Sequence, residues 1–169
     1  MFRLHCSPEL PDPSPDAACL KRLATVARRT LSCHAVGGLI NVVLTSDDEV
    51  RRLNRTFRAR DKTTDVLSFS LNEDEQPPVL DDEDLAADTP MGEIYISVEQ
   101  ARLQAEELGV PHDEELSRLL VHGLLHLAGF DHQTEAELHT MEGLTEELLG
   151  AAPADTITPS WRTDLPKGV

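Results

Sequence analysis

One short stretch, Val121–His132, constrains this chain more than any other. It reads V-H-G-L-L-H-L-A-G-F-D-H and has histidines at positions 122, 126 and 132. Residues four apart on a helix lie one turn above each other, so His122 and His126 can direct their imidazoles to one point. Gly129 favours a helix end in the left-handed conformation, after which the chain can bring His132 to the same point. Three imidazoles with a fourth position open are typical of catalytic zinc, and we predict one Zn²⁺ per chain on these histidines.

This predicted zinc site has alternatives. Three imidazoles also suit nickel or copper. A helix with two core histidines and an unrelated third would hold no metal, but the triple spacing with a glycine at the bend favours a metal. Zinc peptidases of the H-E-x-x-H kind have a glutamate directly after the first histidine as general base, where this chain has Gly123. A zinc-dependent hydrolase of peptide or amide bonds is therefore the weaker alternative.

The histidine stretch closely resembles the signature of the YbeY endoribonuclease family. Asn54–Phe69, N-R-T-F-R-A-R-D-K-T-T-D-V-L-S-F, is similar to the second motif of that family, and Met91–Ser97, M-G-E-I-Y-I-S, is similar to the third. The resemblance runs from about residue 40 to about residue 149. It departs from the family at Thr63, where proline is frequent, and at Phe130, where tyrosine is usual.

The resemblance implies a metal-dependent endoribonuclease that is specific for single strands. Its implied role is ribosomal RNA processing, with maturation of the 16S rRNA 3′ end, and ribosome quality control. The implied partners are single-stranded or ribosomal RNA and the small ribosomal subunit with its assembly factors, without DNA or a membrane. A metal-stabilised adaptor on the ribosome, without enzymatic activity, is the third alternative.

Two residues are predicted to be catalytic, His122 as a metal ligand and Arg58 as a phosphate ligand. Cleavage of a phosphodiester builds negative charge on phosphate oxygens, and the planar fork of arginine can bind two of them at once. Arg58 lies in the family-like stretch; on the sequence alone, a surface arginine at the end of a basic helix is an equal interpretation. The other basic residues predicted to contact the RNA backbone are Arg51, Arg55, Arg60 and Lys62.

For five further side chains the sequence also offers structural roles. For Asp65 and for Asp131, the sequence favours a structural role and a supporting role in the site equally. His112 and His139 are predicted to be surface histidines on helices. Met141 is predicted to be a core residue.

The charge distribution limits the mode of nucleic-acid binding. The formal net charge is −16, which argues against a general nucleic-acid binder. However, residues 72–89 carry eight acidic side chains and no basic one, whereas residues 51–62 carry six basic side chains and one acidic. A local basic patch is therefore compatible with the negative total.

Length and composition favour one cytoplasmic domain. A chain of 169 residues is most simply a single domain, here residues 1–150, followed by a flexible tail over residues 151–169. An odd count of three cysteines favours thiols in a reducing compartment. No run approaches eighteen apolar residues, so no membrane span is predicted.

Hydrophobic periodicity predicts an α+β (α/β) fold in which a mixed four-stranded sheet is packed with about five helices and the metal helix lies in the core. An acidic loop is predicted over Asn72–Pro90. The predicted strands are Phe2–His5, Leu39–Thr45, Val66–Ser70 and Glu93–Ser97. The predicted helices are Ala17–Ser32, Asp47–Phe57, Val98–Leu108, Asp113–Leu127 and about 135–149, with Asp16, Ser46, Ser97 and Thr134 as caps.

Overall fold

The computed structural model describes residues 1–34, 38–70, 90–131 and 133–150. Most of the predicted acidic loop and the whole predicted tail lie outside these residues. The elements follow the predicted order along the chain. They are β1 (Phe2–Cys6), α1 (Ala17–Cys33), β2 (Leu39–Thr45), α2 (Asp47–Arg58), β3 (Val66–Ser70), β4 (Pro90–Ser97), α3 (Val98–Leu108), α4 (His112–Leu127) and α5 (Glu135–Gly150).

The four strands form one mixed sheet in the order β1-β2-β4-β3. β2 pairs in parallel with β1 and β4, and β3 pairs antiparallel to β4. The predicted mixed four-stranded sheet is therefore confirmed. β4 begins at Pro90, three residues before the predicted Glu93, and its register shifts between Leu39 and Ile40 of β2. Proline lacks a backbone N–H but is tolerated as the first residue of a strand, so Pro90 is compatible with this start.

The two faces of the sheet carry different helices. Ile94 and Ile96 of β4 pack into a core with residues of α1, α3 and α4, whereas Tyr95, between them, packs with residues of α2. This alternation follows from the two-residue period of a strand. α5 packs on the outer side of α4 through Met141 and Leu144.

Helix α4 is the central helix of the domain. It contacts α1, α3, α5, β3 and β4, and its buried residues lie on more than one face. The prediction of a core helix for the histidines is thus confirmed, while a metal on it stays a prediction. None of the helices in the described part of the chain has the length and apolar character needed to cross a membrane.

The predicted caps fix where the helices begin. The side chains of Asp16, Ser46 and Ser97 each accept a hydrogen bond from the backbone N–H three residues later. At α5 the bonds are reciprocal: Thr134 Oγ1 accepts from the N–H of Glu137, and the Glu137 carboxylate accepts from the N–H of Thr134.

Candidate active site

The two described histidines of the signature face each other on α4. His122 and His126 are half-buried, and their Nε2 atoms are 3.1 Å apart. The ring centroids are 4.7 Å apart at an interplanar angle of 78°. The four-residue spacing therefore directs both imidazoles to one point, as predicted.

This pair fits a metal ion. Two nitrogens at ~2.0–2.1 Å from one zinc ion and at a tetrahedral angle are about 3.3 Å apart, close to the observed 3.1 Å. The predicted third ligand, His132, lies outside the described residues. Among the residues that the structure describes, no group of three possible metal ligands comes together. Metal binding by all three histidines therefore stays a prediction.

Gly123, directly after the first histidine, faces the sheet. A Cβ at this position would lie 2.9 Å from Ile94 Cγ2 and 3.1 Å from Ser68 Oγ. The glycine lets α4 approach β3 and β4 closely. A glutamate in place of Gly123 would have to enter this contact, so the position that carries the base in zinc peptidases has no room for one here.

The bend after α4 is a Schellman motif. Gly129 has a φ of +97° and its N–H donates to the carbonyl of His126 at 3.0 Å. The N–H of Phe130 donates to the carbonyl of Leu125, also at 3.0 Å, and the Phe130 side chain packs against the cluster that contains Leu125. This pattern with its apolar contact confirms the predicted left-handed glycine at the helix end.

Arg58 is the last residue of α2 and is held by β3. Its Nη2 donates to the carbonyl of Ser68 at 2.8 Å. Its Cζ lies 5.4 Å from the centroid of the Phe69 ring, within the range of a cation–π contact. The guanidinium is thus oriented by a carbonyl and an aromatic face before any ligand binds.

One cavity of about 710 Å³ joins these groups. Its lining includes Arg58, His122, His126 and Asp131. The structure therefore brings the predicted phosphate ligand to the same cavity as two predicted metal ligands.

Comparison of the sequence with known proteins shows the family of this chain. The model of the family Endoribonuclease YbeY matches residues 16–152. The chain belongs to the YbeY endoribonuclease family. It is 44% identical over 110 residues to Endoribonuclease YbeY of Persephonella marina, which covers 64% of this chain and 67% of that relative. It is 40% identical over 136 residues to Endoribonuclease YbeY of Rhodopseudomonas palustris, with 80% and 68% covered.

A solved structure supports the same fold. The solution structure of TM1509 from Thermotoga maritima matches with a TM-score of 0.57 and 26% identity. The match covers 97% of this chain and 93% of that chain. The predicted α+β fold is therefore confirmed, and the match extends over nearly the whole length of both chains.

Thr63, which departs from the YbeY pattern, makes a hydrogen bond with its side chain. Thr63 Oγ1 donates to Asp47 Oδ1 at 3.2 Å, and the same carboxylate accepts bonds from the Ser97 hydroxyl and from Gln100 Nε2. Proline, frequent here in the YbeY family, has no side-chain donor. The threonine thus joins the loop between α2 and β3 to the start of α2 by a side-chain hydrogen bond.

Asp65, in the loop between α2 and β3, has structural contacts. Its Oδ1 accepts from the N–H of Val66 at 2.8 Å, and its Oδ2 accepts from Gln104 Nε2 at 3.0 Å. These bonds begin β3 and join it to α3. They support the structural interpretation of Asp65, although the residue also lines the cavity.

Three other predictions concern residues away from the cavity lining. His112 is half-buried and contacts the carbonyl of Val98 through Nε2 at 3.1 Å, and burial lowers its pKa. It is therefore not the simple surface histidine that was predicted. His139 is exposed and Met141 is buried in the core, as predicted.

Two cavity residues, Asn54 and Ser68, were not singled out from the sequence. Asn54 is buried and its Nδ2 donates to the carbonyl of Lys62 at 2.8 Å, and Ser68 Oγ lies 3.4 Å from the carbonyl of Gly123. Both fall within the family-like stretch Asn54–Phe69, which was the only signal that could have indicated them.

Proposed function

We propose that this protein is a metal-dependent endoribonuclease that cuts single-stranded regions of ribosomal RNA. The observation that carries the proposal is the shared cavity, in which Arg58 faces the same space as His122 and His126. Membership of the YbeY endoribonuclease family supports the RNA substrate.

The chain's own residues supply binding and orientation in this proposal. His122, His126 and His132 would hold one divalent metal, for which Zn²⁺ is our choice and nickel the main alternative. When bound there, such a metal would supply Lewis-acid chemistry, by which a water molecule would become more acidic and a phosphoryl oxygen more polarised. Arg58 would bind two oxygens of the scissile phosphate, where charge builds during cleavage.

The proposed setting is the cytoplasm, with the small ribosomal subunit and its assembly factors as partners. The proposed reactions are 16S rRNA 3′-end maturation and ribosome quality control, with RNA and not DNA as the substrate. The free thiols of Cys6 and Cys19 fit a reducing compartment.

A comparison of two substrates tests the proposal. Purified protein is incubated with labelled single-stranded RNA and with casein, each with and without a chelator. We expect cleavage of the RNA alone, lost with the chelator and restored by Zn²⁺. Cleavage of casein alone would favour the peptidase alternative, and inertness toward both would favour a ribosome-associated adaptor.

A further inference from the structure

The basic residues between positions 51 and 62 differ in their charge partners. Arg51 makes a two-pronged contact with Asp61: its Nε is 2.9 Å from Oδ1 and its Nη2 is 3.3 Å from Oδ2. Arg55 Nη1 is 4.0 Å from the same Oδ1. Arg52 makes a similar two-pronged contact with Glu49, with its Nε 2.8 Å from Oε2. Each of these arginines therefore has a carboxylate of the protein beside it.

Arg60 and Lys62 are in a different position. Both line the cavity, and neither forms an ion pair with any residue in the described part of the chain. Their backbone is held by Asn54, whose carbonyl accepts from the N–H of Arg60 at 3.2 Å and whose Nδ2 donates to the carbonyl of Lys62. The backbones of Arg60 and Lys62 are therefore held in place beside the cavity that both residues line.

This difference matters for binding a polyanion. When a cationic side chain binds a phosphate, mobile counterions are released, and this release supplies much of the affinity for RNA. It also makes the affinity fall as the salt concentration rises. A carboxylate that belongs to the protein cannot be released in this way. Hydrogen bonding to Arg51 also lowers the pKa of Asp61, so its carboxylate stays charged near neutral pH. Arg51 would therefore contribute less to RNA binding than Arg60 or Lys62.

We propose that single-stranded RNA reaches the cavity over Arg60 and Lys62, and that Asp61 keeps Arg51 out of the binding surface. This inference rests on the proposed function, because it takes RNA as the ligand. It revises the sequence-based prediction that Arg51 contacts the RNA backbone together with Arg55, Arg60 and Lys62.

Binding measurements separate these residues without relying on cleavage. A fluorescent single-stranded RNA with methylated 2′-hydroxyls is titrated at several salt concentrations, and its integrity is checked on a gel. The logarithm of the association constant falls linearly with the logarithm of the salt concentration. Arg60→Gln and Lys62→Gln should each make this negative slope shallower by about 0.7. Arg51→Gln should leave the slope unchanged, although it removes the same charge.

A double-mutant cycle tests the role of Asp61. Asp61→Asn should make the negative slope steeper by about 0.7, because Arg51 becomes available to a phosphate. Arg51→Gln combined with Asp61→Asn has the net charge of the wild type and should return the slope to the wild-type value. Melting temperatures should stay close to wild type throughout, since Arg51 and Asp61 are both exposed.

The possible results are distinguishable from a failure of the proposed function. If Arg51→Gln lowers the slope as much as Lys62→Gln does, or if Asp61→Asn leaves it unchanged, this inference is overturned while RNA remains the ligand. If the wild type does not bind the RNA at any salt concentration, both the inference and the proposed RNA substrate are overturned.

Discussion

Gly123 shows how a single missing side chain positions α4, the helix that carries His122 and His126. A Cβ at this position would lie 2.9 Å from Ile94 Cγ2, which is closer than real Cβ contacts. Gly143 on α5 provides a matched control, because a Cβ there would meet no heavy atom within 4 Å. Both are helical glycines, so replacement by alanine gains the same helix propensity of about 1 kcal/mol in each.

We expect Gly123→Ala to be less stable than Gly143→Ala by about 1–3 kcal/mol, the typical cost of overpacking. Urea denaturation of both variants measures this difference, in which the propensity gain cancels. Equal stability would mean that α4 can move away from the sheet at no cost. The close contact of α4 with β3 and β4 would then not depend on the glycine.

The residues of the site were predictable to different degrees. His122, His126 and Gly129 are local: their spacing on one helix and the bend after it follow from helix geometry. The positions of Asn54 and Ser68 depend on how α2 and β3 pack beside α4, and no local pattern carries that information. Arg58 was indicated by chemistry and by the family resemblance, whereas its contacts with Ser68 and Phe69 required the structure.

At the scale of elements, β4 contains a buried acid. Glu93 is 2% exposed, and burial raises the pKa of its carboxyl, against the opposing effects of the Tyr95 hydroxyl at 2.9 Å and of Asn41. As the pH rises from the ordinary glutamate pKa toward this higher value, the unfolded chain has released a proton that the folded protein still holds. The free energy of unfolding therefore falls over this range of pH.

Glu93→Gln should remove this fall, because glutamine cannot ionise yet can still accept the hydrogen bond of Tyr95. Thermal denaturation should show the variant gaining stability relative to wild type as the pH is raised from 4 to 8. Glu107→Gln, at an exposed position on α3, should follow the wild-type profile. A constant difference between Glu93→Gln and wild type at all pH values would contradict the assignment.

The start of α2 joins three elements through one carboxylate. Asp47 accepts hydrogen bonds from Thr63, Ser97 and Gln100, whereas its neighbour Asp48 is exposed in the same helical turn. Asp47→Ala should cost about 1–3 kcal/mol because the buried Ser97 hydroxyl loses its acceptor. Asp48→Ala should cost much less although it removes the same charge near the helix N-terminus. Similar losses in urea denaturation would show that the helix dipole, and not the network, stabilises this end.

The order of elements was predictable because each helix has its own cap and each strand its own apolar run. The exact ends of the helices and strands were less predictable than their order. α2 extends to Arg58 because Ala59 adopts a left-handed conformation with φ 53°, which an alanine in sequence does not indicate. Ser46 was predicted as the cap of α2, and its hydroxyl accepts from the N–H of Glu49 at 3.3 Å, while the Glu49 carboxylate pairs with Arg52.

At the scale of the whole molecule, a metal on α4 would be linked to folding. A ligand that binds the folded state alone raises the free energy of unfolding, so a chelator should lower the melting temperature of the wild type. His122→Ala, His126→Ala and His132→Ala should each hold well below one metal per chain and should lose most of this chelator effect. His139→Ala, at an exposed position on α5, is the matched control and should keep both. Full metal content in His132→Ala by elemental analysis would remove that residue from the ligand set.

The central claim is that one cavity combines a metal held by histidines with Arg58 as the ligand of the scissile phosphate. Turnover of single-stranded RNA at saturating concentration tests it most directly, because binding and chemistry are then separated. With metal content and melting temperature near wild type, Arg58→Ala should lower turnover about tenfold to hundredfold. Arg58→Lys should recover part of the loss, since an ammonium keeps the charge without the two-pronged geometry. Equal turnover for wild type and Arg58→Ala would contradict the claim and leave Arg58 as a surface residue held by Ser68 and Phe69.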